Sequence, residues 1–144
     1  MKKQTAKENS ENTAKFDFRT IKSFEDACKK EELNPEDLPE VSKIPATFQK
    51  AIINAYKLFI IFKAINDGWT ANWYDTNQWK YFPWLRVKAS KELYSGFGFS
   101  LSTYIYGGTD ASVGSRLCTD TSEKAIYIGE TFQEEYKEFF LITE

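Results

Sequence analysis

Alternate residues in one aromatic stretch have the types needed to grip a ligand. The stretch "WTANWYDTNQWKYFPWLRV" runs from Trp69 to Val87 and holds all four tryptophans of the chain. From Gln78 its pattern becomes strand-like, and side chains alternate faces along a strand. The even positions Lys80, Phe82, Trp84, Arg86 and Lys88 interleave two aromatics with three cations. Rings beside cations suit stacking on bases or sugars and holding of phosphates. Trp, Tyr and Arg are also the usual anchors of a protein interface. The odd positions Trp79, Tyr81, Pro83, Leu85, Val87 and Ala89 are apolar and are expected on the core.

A second strand is predicted over "GFGFSLSTYIY", residues 96–106, which alternates cleanly. Phe97, Phe99, Leu101 and Ile105 form its core set, and Tyr104 and Tyr106 belong to the other. If the two strands pair, the basic–aromatic residues and these two tyrosines share one sheet face. That face is the candidate binding surface: Lys80, Phe82, Trp84, Arg86, Lys88, Tyr104 and Tyr106. Two alternatives stay open. The first helix or the linker after it could lie over the face, or a bulge at Pro83 could swap the faces.

Other chemistries find little material. The chain has no histidine, which removes Ser-His-Asp and Cys-His nucleophilic sites and every histidine-containing metal site. Cys28 and Cys118 alone cannot close a zinc site, and with no export signal they are expected as reduced thiols. Asp67, Asp75, Asp110 and Asp120 read as turn residues rather than an acid–base pair. "GFGFS" leads into strand and lacks the third glycine of a dinucleotide loop. In "SRLCTDTSEK" a hydroxyl-rich turn opens a helix, so Thr121 and Ser122 are a possible anion site as well as ordinary caps. No catalytic residue, metal or cofactor is assigned.

Several elements must carry these residues. Residues 1–15 are polar and are expected to form a disordered tail; 16–144 are expected to form one α+β domain. Ser23 with Asp26 opens a short helix ending near Glu32, with Phe24, Ala27 and Cys28 buried. "NPEDLPEVSKIP" reads as an extended linker. A long central helix runs from Pro45 to about Asn66, stopped by Gly68. It shows one stripe of Phe48, Ile52, Ala55, Phe59 and Phe62 and a second of Ile53, Tyr56 and Ile60. Ser115–Cys118 is a short third strand. One C-terminal helix, capped by Thr121 or Ser122, reaches about Leu141 with Ala125, Ile128, Phe132, Tyr136 and Phe139 inward. The expected fold is therefore three helices on a small antiparallel sheet of two to three strands.

Charge is uneven along the chain. Residues 44–91 carry 7 basic and 2 acidic groups, whereas residues 92–144 carry 3 basic and 9 acidic. The net charge of −2 argues against bulk affinity for nucleic acid. No apolar run is long enough to span a membrane, and the N-terminus lacks an apolar signal core, so a cytoplasmic protein is expected.

The segments "IKSFEDACKKEELNPEDLPEV", "AYKLFIIFKAINDGWTANWYDTNQWKYFPWLRV", "GFGFSLSTY" and "VGSRLCTDTSEKAIYIGETFQEEYKEFFL" together resemble a family of small phage-like, mobile-element proteins of gut anaerobic bacteria. The resemblance covers roughly residues 18–142 and brings no residue-level role. It implies an accessory role in a prophage-like setting. The expected function is non-catalytic, through protein–protein interaction or assembly, with a protein partner or self-association. Single-stranded nucleic-acid binding on the basic–aromatic face is the alternative, and a small enzyme on nucleotide or sugar a third.

Overall fold

The computed structural model describes residues 14–87, 97–105 and 113–141. Within them the chain mixes helix and strand, in the order α1 (Phe24–Lys30), α2 (Ala46–Asn66), β1 (Lys80–Val87), β2 (Phe97–Ile105), α3 (Ser122–Thr131) and α4 (Gln133–Phe140). Single 3₁₀ turns lie at Phe18–Thr20 and Ser115–Leu117. The expected tail 1–15 falls almost wholly outside the described residues.

Local chemistry explains the helix ends. Ser23 Oγ accepts the Asp26 N–H at 3.1 Å, while the Asp26 carboxylate reaches back to the Lys22 N–H at 3.0 Å. The first is the N-cap bond of a capping box; the second falls one residue earlier, on the N–H before the N-cap rather than on that of Ser23. Phe24, Ala27 and Cys28 are buried as their spacing implies. At the end of α2 both Asp67 and Gly68 turn left-handed, with φ of 49° and 87°. Glycine adopts that region freely; Asp67 does so at a cost of about 1 kcal/mol. Its carboxylate is held by Lys30 Nζ at 2.6 Å.

Three expectations change. The C-terminal helix is two helices, broken at Phe132, whose φ of −112° and ψ of 40° leave the helical region. Gly129 and Thr131, both weak helix formers, precede the break. Of the predicted inward set, Ala125, Ile128, Phe132 and Tyr136 stay buried across it, and Phe139 is half-buried. The predicted third strand is instead the 3₁₀ turn Ser115–Leu117, followed by one bridge between Thr119 and Tyr81. The core stripe of α2 is also displaced. Leu58, Ile61, Phe62 and Ile65 are buried, whereas Phe48 is exposed and residues 51–57 are half-buried. At 1.5 Å per residue, the 21-residue α2 outruns α1 and α4, of 7 and 8 residues. α1 lies beside its C-terminal half, with the Phe24 and Tyr56 rings 6.3 Å apart and Glu31 2.8 Å from Lys63. α4 reaches its N-terminal half, where Lys50 and Glu138 stand 3.9 Å apart.

β1 and β2 form an antiparallel pair. From Lys80 to Trp84 the register sets even positions of β1 opposite odd positions of β2, Lys80 against Ile105 and Phe82 against Thr103, so Tyr104 pairs with Tyr81 and not with the predicted basic–aromatic set. The register steps between Trp84 and Leu85, with Ser100 as the extra residue. The irregularity thus falls beyond Pro83 and on the other strand. Tyr81 exchanges both backbone hydrogen bonds with Thr119, at 3.0 and 2.8 Å. Successive residues of an antiparallel strand direct these groups to opposite sides, so every second residue shares a side. Pro83, two residues on, therefore faces away from β2, and its missing N–H leaves the ladder intact.

Candidate functional site

The predicted basic–aromatic face does not survive folding as one surface. Lys80 is fully buried at 0% exposure and Phe82 nearly so at 6%, whereas Trp84 remains 53% exposed. The tryptophan loop folds back upon the strand that follows it and meets the Lys80 ammonium. Lys80 Nζ donates to the Gln78 carbonyl at 2.7 Å and the Asp75 carbonyl at 3.3 Å. It also stands 5.2 Å from the centroid of the Trp73 ring. A buried ammonium needs such partners, because desolvation otherwise costs several kcal/mol. Leu85, of the odd set, packs against the main core. Arg86 and Tyr104 are placed by backbone, opposite Gly98 and Tyr81. Lys88 and Tyr106 lie outside the described residues.

Trp73 locks this loop to the segment before α3: its indole N–H donates to Ser115 Oγ at 2.6 Å. Trp79 stacks on Tyr81 with centroids 6.5 Å apart and an interplanar angle of 20°. Trp84 leans on Phe82, also at 6.5 Å. By strand parity these two ring pairs lie on opposite faces of β1, so they do not form one platform.

The predicted anion site at Thr121 and Ser122 is a helix cap in the structure. Thr121 Oγ1 accepts the Lys124 N–H at 3.3 Å, and Thr119 Oγ1 donates to the Thr121 carbonyl at 2.7 Å. Acidic Asp120 and Glu123 flank the turn, a poor setting for an anion. A polar cavity of about 640 Å³ opens beside it, lined by Arg19, Asp67, Trp69, Asp120 and Lys124 among others. Its charges already answer one another. Lys124 lies 2.8 Å from Asp120, in contact as charges though without hydrogen-bond geometry at Oδ1, and Arg19 lies 3.8 Å from Glu123.

Asn66 lines both this cavity and a second one. It is 7% exposed, and its Nδ2 donates to the Cys118 carbonyl at 2.8 Å. The amide cannot be flipped there, because a carbonyl only accepts. The second cavity, about 610 Å³, is an apolar groove between α2 and the 3₁₀ turn. Tyr56, Phe59 and Ile60 form its floor, Trp69 one wall, and Lys63 and Arg116 its charged rim. The sequence reading missed it. Its signal lies in the second apolar stripe of α2, whose spacing alone implies burial of a central helix. Instead part of that stripe is left half-covered.

The titratable groups set limits on chemistry. Both cysteines are free and buried. Burial pushes the Cys118 thiol up to about 11 although the Lys80 charge pulls it down. Burial, aided by Glu25, also raises the Cys28 thiol. Burial alone raises the Tyr136 phenol above its ordinary value. The Glu31 hydrogen bond, then its charge, raises the Lys63 ammonium. Among the described residues no group of three His, Cys, Asp or Glu could hold a metal ion. Nor is any described helix long and apolar enough to cross a membrane.

No protein family, no curated protein and no solved structure matches this chain.

Proposed function

We propose that this chain is a non-catalytic accessory protein that works by association, in the phage-like or mobile-element setting its sequence resembles. The observation that carries the reading is Trp84. A tryptophan more than half exposed in a strand, with Phe82 packed behind it, has the character of an interface anchor. The favoured partner is a second copy of the chain. Trp84 belongs to the basic segment 44–91, whereas α3 and α4 turn the acidic Glu123, Glu130 and Glu134 outward. A head-to-tail contact would set opposite charges against each other. Two features support a non-catalytic role: the thiols are held protonated, and Lys80 is committed to carbonyls. The nucleic-acid alternative loses Lys80 and Phe82 from its proposed surface.

Light scattering across a concentration series tests the proposal. The weight-average mass should rise with protein concentration at low salt and fall back as salt screens the charges. Trp84→Ala should stay monomeric while keeping its circular-dichroism spectrum. A wild-type protein that remains monomeric at every concentration in low salt would refute self-association.

A further inference from the structure

We infer that the groove between α2 and the Ser115–Leu117 turn binds a small amphiphilic carboxylate, apolar body inward and anionic head toward Arg116. Size is the first ground. At about 610 Å³ the groove lies within the range of small-molecule sites, about 300–1,000 Å³. Its floor is the second: Tyr56, Phe59 and Ile60 present half-buried apolar surface from successive turns of one rigid helix. Charge is the third. The lining contains two cations and no carboxylate. Lys63 is already answered by Glu31 at 2.8 Å, whereas Arg116 has no acidic partner among the described residues. In the neighbouring polar cavity, by contrast, acids stand beside the cations.

The site is also held in shape before any ligand arrives. The left-handed Asp67 and Gly68 turn the chain back so that Trp69 stands beside the last turns of α2, with its N–H on the Asn66 carbonyl at 3.0 Å. The Trp73–Ser115 bond fixes the residue next to Arg116. A guanidinium can meet a carboxylate with two parallel hydrogen bonds, which orients the head group.

Calorimetric titration of the full chain with sodium decanoate, below its aggregation concentration, tests this. Saturable one-to-one binding is expected, weakening by up to about fourfold for each methylene removed, as in octanoate. Arg116→Ala should cost about tenfold or more, Arg116→Lys should restore part of the loss, and both should keep the wild-type spectrum. Ile60→Asp, placing an acid in the floor, should abolish binding. The claim is overturned by no saturable heat, by unchanged affinity in Arg116→Ala, or by equal affinity for decyltrimethylammonium. Trp84→Ala should bind decanoate normally, so the result stands apart from self-association.

Discussion

Replacing Trp73 by Phe should release the tryptophan loop from the segment before α3. Two contacts are lost or weakened. The 2.6 Å hydrogen bond to Ser115 Oγ disappears, at a cost of about 0.5–1 kcal/mol for a bond near the surface. The ring 5.2 Å from Lys80 Nζ becomes a weaker cation acceptor, and because Lys80 is desolvated this costs about 1 kcal/mol more. Together the variant should lose about 2 kcal/mol. That corresponds to a fall in Tm of about 4–8 °C for a chain of this size. Ser115→Ala removes only the hydrogen bond and should cost about 0.5–1 kcal/mol. The decisive quantity is the coupling, obtained from urea unfolding of wild type, both single variants and the double variant. The double variant should cost no more than Trp73→Phe alone, giving a coupling of about 0.5–1 kcal/mol. Additivity within about 0.3 kcal/mol would show that the two groups do not act through each other.

Stability should also depend on alkaline pH. The folded Cys118 thiol ionises at about 11, above its ordinary value of 9.0. Its contribution is therefore complete below pH 9 and lost as pH rises through about 11, since the unfolded thiol ionises first. Urea midpoints should fall over that window, and less so in Cys118→Ala. The same burial predicts that both thiols resist alkylation at pH 8 in the native protein and react on unfolding. Asn66→Asp should cost about 3 kcal/mol or more at neutral pH, because a buried carboxylate would face the Cys118 carbonyl. The loss should shrink in acid, where the introduced group is protonated; equal loss at both pH values would show that its charge is not the cause.

Elements set by local chemistry were legible in the sequence. The Ser23 cap, the start and stop of α2, and the inward residues of α3 and α4 follow from spacing and from neighbours within a few residues. The C-terminal break was not, because the apolar spacing runs straight through Phe132 while the backbone turns there. The long helix shows the same limit from another side. Its two stripes are both apolar, and nothing in them says how much surface the shorter helices leave uncovered. From that uncovered part come the groove floor and the exposure of Phe48.

β1 marks the division most clearly. Its residues alone determined that a strand follows the tryptophan loop and that cations alternate with rings along it. Only the tertiary structure decided that Lys80 lies inside and Trp84 outside. Alternation assigns residues to two faces, but long-range packing decides what covers each. Here the Lys80 ammonium is met by Trp73 and the carbonyls of Asp75 and Gln78, in a loop that returns upon its own strand. Register is likewise a relation between two segments, so the step at Trp84 and Leu85 could not be read from either one.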